Sequence, residues 1–479
     1  MPLSIKNSSP TILLLNLLIS LSCGGSSSTT TDNSLKAEAD EDLSAGNVTI
    51  FNFGSKAFDQ AAPNLSLDHR AEFERGDAVF NRQWIEVDPT LDIDNDGLGP
   101  LFSSTSCVGC HHRNGKGEPP ESSDEHLNDF IVKLSIAGTD ANGGPLGDPI
   151  YGGQLSDQGI TNMVSEGNLI ITYEEITGQF EDGKSYTLVK PNYDLNLENY
   201  GEATANILIS PRSTPAVYGV GLLELIPEKD LLANEDPDDL DGDGISGRAN
   251  RVFNPESLQT EVGRFGWKAG RPTVRTQTAG AFFGDIGITS SIFPDEDLSD
   301  AQTEALPANS SGDNLTTGHE LEEDDLKLVV QYMKSLAVPA RRDHDDETVL
   351  QGKALFIEAK CSSCHTLKFV TGTSTELPEL NDQVIRPYTD LLLHDMGEEL
   401  SDNRPEFLAS GSEWRTAPLW GIGLVKTVNG HTRFLHDGRA RNLSEAIIWH
   451  SGEGEASKQS YLSMSIEERD QLINFLESL

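Results

Sequence analysis

Cys361-Ser362-Ser363-Cys364-His365 is a C-x-x-C-H pentad, and Cys107-Val108-Gly109-Cys110-His111 repeats it far upstream. This is the attachment pattern for c-type haem: two thiols add across the vinyl groups, and the adjacent histidine reaches the iron as proximal ligand. Four of the five cysteines in the chain lie in the two pentads. A redox disulfide needs no histidine after its second cysteine, and zinc would need two further clustered ligands, which follow neither pentad. The residues imply two covalently bound c-type haems, one on Cys107, Cys110 and His111, the other on Cys361, Cys364 and His365.

The chain has 479 residues, long enough for two or three domains, and 44 Gly with 23 Pro suit a loop-rich globular protein. Its 77 acidic and 35 basic residues give a net charge of −42. That excludes nucleic acid, which needs a basic footprint. It suits a small basic electron carrier, or simply a very soluble surface.

Residues 1–22 read as an export signal, with Lys6 before the apolar run Thr11 to Leu21, too short to span a bilayer. The run ends at Ser22-Cys23, followed by Gly-Gly and a Ser/Thr-rich tract. This resembles a bacterial lipoprotein signal, with Cys23 lipidated and the tract as tether; a plain cleaved signal is the alternative. The expected location is outside the cytoplasm, anchored by lipid to a bacterial envelope membrane. Residues 23–65 then read as tether and loose lead-in.

Gly76-Asp-Ala-Val-Phe80 echoes Gly352-Lys-Ala-Leu-Phe356. Phe356 precedes its pentad by five residues and Phe80 by 27, so the first copy carries an insertion. That insertion holds Asp92, Asp94 and Asp96 in a D-x-D-x-D-G string, and Asp239, Asp241 and Asp243 form a second. Such strings open calcium loops, although the glutamate at loop position twelve is replaced by Ser103 and Asn250; a solvated acidic turn is the other reading. From Phe130 to about Ile209, runs such as Leu169 to Tyr173 between Gly, Asn and Asp turns predict a β-rich insertion. Arg212-Ser-Thr-Pro215 then matches Arg415-Thr-Ala-Pro418, Arg264-Phe265 matches Arg433-Phe434, and Val330 to Leu336 matches Ile473 to Leu479 as closing helices. The expected fold is mainly α: tandem cytochrome c-like domains over 66–340 and 341–479, the first enlarged by acidic loops and the β-rich insertion.

With these segments in hand, the chain from about residue 70 onward resembles the dihaem cytochrome c peroxidase superfamily, which includes the MauG-type enzymes, and within it the di-haem oxidoreductase branch. Segments carrying the likeness are CVGCHHRNGKGEPP, GRFGWKAGRPTV, YTDLLLHDMG and RTAPLWGIGLVKTVNGHTRFLHDGRARNLSEAIIWHSGE. The resemblance implies peroxide chemistry at the His111 haem and electron supply through the His365 haem, from a donor such as a c-type cytochrome. By spacing from the Phe434-Leu-His436-Asp-Gly438 segment it implies His450 as sixth ligand of the second iron, with Met396 the alternative. It implies Gln277 and Asp285 as acid–base groups over the first haem, and Trp267 as an electron relay between the haems or a plain core residue. His126 reads as an exposed histidine or a displaceable ligand. Oxidation of a protein or organic substrate, and electron carriage without catalysis, are the competing activities.

Overall fold

Two helix crossings frame the molecule. Ser66 caps α1 (Leu67–Phe80), accepting from the His69 N–H at 3.2 Å. Three carboxylates start α2 (Glu323–Lys334) and Lys334 ends it, the order that suits the helix dipole. Asp346 caps α3 (Glu347–Glu358), and a Ser465–Glu468 capping box starts α4 (Ile466–Ser478). α1 crosses α2, and α3 crosses α4. At each crossing the backbones meet over the glycine of the echoed segment. A Cβ on Gly76 would lie 2.2 Å from the Leu328 carbonyl oxygen, and one on Gly352 2.0 Å from that of Gln471. Four residues on, Phe80 and Phe356 face the pentad histidines, with ring centroids 6.1 Å from His111 and 6.2 Å from His365. Gly352→Ala should therefore lower stability by about 2 kcal/mol, because the overlap with backbone outweighs the gain in helix propensity. An unchanged denaturation midpoint would refute the close crossing.

This computed structural model describes residues 1, 36–87, 95–123, 125–197, 199–307 and 318–479. Leu35–Leu479 form one compact unit. Within it the two halves meet just beyond their matching Arg-to-Pro segments: the Tyr218 hydroxyl donates to the Trp420 carbonyl at 2.7 Å, and the Trp420 ring lies over Gly219. No helix among the described residues is long and apolar enough to cross a membrane.

Two expectations need correction. The fold is not mainly α: 29% of it is helix and 20% strand, in many small sheets. In the insertion, β1 (Phe130–Thr139) pairs antiparallel with β4 (Leu208–Ser213), from Phe130 opposite Ser213 to Ser135 opposite Leu208. Between them β2 (Gly167–Gln179) and β3 (Ser185–Leu197) form a hairpin with 13 residues in each strand. Its tip is fastened to the C-terminal half: the Arg469 guanidinium lies 4.0 Å from the Phe180 ring centre and pairs with Asp182 at 2.5 Å. The C-terminal half adds two further strand pairs, Phe369–Val370 with Val384–Ile385 and Leu393–Asp395 with Glu413–Arg415.

The second correction concerns the lead-in, which is not loose over its described part. Ala45, Val48, Ala57, Phe58 and Ala62 are fully buried. Thr49–Ile50 pairs in parallel with Val338–Pro339, and buried Glu41 bonds to Arg341 and, at 2.6 Å, to Lys353. Apolar residues spaced through a polar segment thus close the seam between α2 and α3.

Candidate functional site

Each pentad sits on a short helical turn that aims its histidine inward. Ser106 caps Cys107–Cys110 through the Gly109 N–H, and His111 follows at the turn's end. His111 Nδ1 lies 2.9 Å from the Pro215 carbonyl oxygen, and His365 Nδ1 lies 2.8 Å from that of Tyr388. A carbonyl can only accept, so Nδ1 carries the proton and Nε2 is left as a lone pair in each ring. Burial pushes both imidazoles down to about 4, which keeps them neutral as a metal ligand must be. The equivalence drawn between Pro215 and Pro418 does not extend to this bond, since Tyr388 supplies the second carbonyl.

Both pentads line one cavity of about 730 Å³. Each presents two thiols and one imidazole lone pair to that space, the donor set a covalently held haem requires. The residues fit two such groups.

The surroundings of the two histidines differ. On the His111 side the helix Val274–Ala281 runs into a π-helical turn, Phe282–Ile286, which carries Asp285. Such widened turns recur at functional sites. Asp285 and Gln277 line the cavity, together with Lys133, Gln154, Arg271 and Asp297. The Gln154 Nε2 donates to Asp285 Oδ1 at 2.9 Å. Burial raises the Asp285 carboxyl, while the Lys133 charge and the Gln154 bond oppose that rise. Burial lifts Asp297 to about 6. Lys133 and Gln154 arrive from the insertion, where no repeat or motif marks them. His126 points outward, two-thirds exposed, 3.1 Å from Asp157.

On the His365 side His450 ends the helix Leu443–Trp449, its Nδ1 donating to the Ala446 carbonyl at 2.7 Å. Its Nε2 makes no hydrogen bond among the described residues. Met396 lies beside it: a Cβ on Gly454 would be 3.1 Å from His450 Cδ2 and 3.3 Å from the Met396 methyl. His450 and Met396 therefore converge on the same part of the cavity. The nearby His394 is otherwise engaged, 2.9 Å from Asp390 and 2.7 Å from Glu453; burial opposes its charge, but those two carboxylates hold its pKa well above the ordinary value.

Trp267 lines the same cavity, donating from Nε1 to the Ser213 carbonyl at 2.8 Å, with the Lys116 ammonium 4.7 Å from its ring centre. Trp414 also lines it, stacked at 3.8 Å on His436, with Lys268 4.3 Å from its ring centre. Of the acidic strings, Asp92 and Asp94 lie outside the described residues, as does Cys23, and Asp96 is alone of its set. In the second string the carboxylates that gather within 4.8 Å of one another are Asp236, Asp239 and Asp241. Asp243 is not among them; its carboxylate accepts from the Ile245 N–H. Asp236 was missed because it precedes the motif and is brought in by the turn.

A family described as "Di-haem oxidoreductase, putative peroxidase" matches residues 38–479. The chain belongs to this family. The di-haem oxidoreductases share the two-haem expectation read from the pentads, and the match begins within the packed lead-in. No curated protein matches the chain. Among solved structures, Kuenenia stuttgartiensis hydrazine synthase pressurized with 20 bar xenon is similar at 13% identity and a TM-score of 0.35, covering 97% of this chain and 100% of that one. A likeness that distant carries no argument about reaction.

Proposed function

We propose that this di-haem oxidoreductase is an exported c-type enzyme that reduces hydrogen peroxide at the His111 site with electrons arriving through the His365 site. The asymmetry of the cavity supports this reading: a carboxylate, an amide and an ammonium surround the first site, whereas His450 and Met396 stand by the second. When bound, haem supplies iron at which the peroxide O–O bond can be cut. The protein's share is acid–base chemistry. Asp285 takes the proton from one peroxide oxygen and returns it to the leaving oxygen, and Lys133 favours its ionised form. Pro215 and Tyr388 fix the orientation of the two proximal rings. Trp267, in the wall of the shared cavity, offers an aromatic step between the sites.

His450 is proposed as the sixth ligand at the second site, giving two histidine ligands and a lower potential than a His/Met pair. His450→Ala should make that haem high-spin, read in the absorbance and EPR spectra; an unchanged spectrum would transfer the role to Met396. The signal and Cys23 support export and a lipid anchor, and Asp236, Asp239 and Asp241 a calcium ion. The acidic surface suits a small basic donor such as a c-type cytochrome, whose oxidation would then weaken with added salt.

The deciding experiment mixes haem-loaded protein with peroxide and a reduced c-type cytochrome while following haem and donor bands. Peroxide-dependent donor oxidation supports the reading. Reaction with peroxide without donor oxidation would shift it to another substrate. No reaction after pre-reduction would leave electron carriage.

A further inference from the structure

The family resemblance pairs Asp285 with Gln277, but the two stand eight residues apart along one continuous helical run. That is about 12 Å along the axis. The amide that touches Asp285 is Gln154, which also donates from Nε2 to the Gly284 carbonyl at 2.8 Å. Gln154 is buried and its Oε1 accepts no hydrogen bond. A buried amide oxygen without a donor is costly, so it marks a place where a donor belongs.

Lys133 is the cross-strand neighbour of Gln154 and reaches the same spot. Its ammonium makes no hydrogen bond or ion pair among the described residues. Gln154 Oε1 and Lys133 Nζ lie 3.6 Å and 3.8 Å from where a Cβ on Gly284 would be. An acceptor without a donor and a donor without an acceptor thus converge over the one residue of the turn that has no side chain, next to a carboxylate. All four residues line the cavity that holds His111.

We propose that Lys133 and Gln154, delivered by the β-rich insertion, complete with Asp285 a seat for a small protic ligand of the hydrogen peroxide class. The ligand donates to Gln154 Oε1 or Asp285 and accepts from Lys133. Gln154 is in addition a positioning residue, since its bond fixes the Asp285 carboxylate. The insertion is then part of the active site as well as a strap between the two halves. This rests on the reading of the His111 site as the one open to peroxide.

Cyanide is the probe, because hydrogen cyanide must give its proton to a base while its carbon binds iron, and its nitrogen can accept from an ammonium. Cyanide association with the haem-loaded full chain is followed by absorbance beside peroxide turnover. Gln154→Leu and Lys133→Met should each slow association by at least about tenfold, and Lys133→Arg should restore most of it. Gly284→Ala meets only ordinary contacts at that carbon, so it should fold normally yet slow association several-fold; it decides the matter if the other variants do not fold. Rates within about twofold of the parent in Gly284→Ala and Gln154→Leu overturn the seat while leaving the peroxidase reading intact. Cyanide binding with the predicted variant effects but no peroxide turnover keeps the seat and removes the peroxidase. A parent protein that takes neither cyanide nor peroxide overturns both.

Discussion

Asp285→Asn is expected to slow peroxide consumption by at least about tenfold, towards the 10²–10⁴ typical of a lost acid–base group. Asparagine keeps the size of the side chain and can still bond Gln154, so the haem bands and melting temperature should stay near those of the parent. What is lost is the carboxylate. Burial raises its pKa above the ordinary value, and Lys133 with Gln154 limits the rise. A base must be ionised to accept a proton, so the parent rate should fall as pH drops through that raised pKa, and Asp285→Asn should lose this acid limb. Lys133→Met should move the limb to higher pH, because burial is then opposed by Gln154 alone. Stopped-flow rates between pH 4 and 8 would show all three effects. An Asp285→Asn protein with the parent's rate and pH limb would assign the proton to another group, with Asp297 next in line.

The pentads, the paired closing helices and the Gly-x-x-x-Phe echo were legible because each rests on a local pattern with a physical cause. Gly76 and Gly352 each sit where a backbone crosses, and Phe80 and Phe356 each face a pentad histidine. His450 was singled out only through the family resemblance, and the structure shows it in the cavity wall near Met396. The mixed α and β character was not legible, since several of its strand pairs are two or three residues long, too short to leave a period of two. Lys133 and Gln154 were hidden for a different reason. A lysine in Phe130–Thr139 reads as the outward position of a half-buried strand, and only the antiparallel bridge to Gln154 shows that this face looks into the cavity. Cavity residues borrowed from an insertion have no counterpart in the second repeat, so repeat matching could not find them. The packed lead-in was missed because its polar composition outweighed a few widely spaced apolar residues.

That lead-in yields the largest stability effect expected outside the haem sites. Glu41 is 1% exposed, and its Oε1 meets both Arg341, which is 3% exposed, and Lys353. Arg341 also lies 5.0 Å from the ring centre of Phe475, in the core of α4. Glu41→Gln leaves two buried cations facing a neutral amide, and removing one partner of a buried ion pair costs about 3–5 kcal/mol. The loss should appear in chemical denaturation and as earlier proteolysis within residues 36–65, since the anchor between lead-in and α3 has gone. Its pH dependence has a definite sign. Burial pushes the Glu41 carboxyl up, but Lys353 and Arg341 outweigh that and its folded pKa is lowered. The stabilisation is therefore fully present above the ordinary carboxylate value and is lost as pH falls through the folded pKa. Parent and Glu41→Gln should differ most near neutrality and converge in acid. A difference that persists unchanged at pH 3 would mean that the glutamate acts through shape and not through its charge.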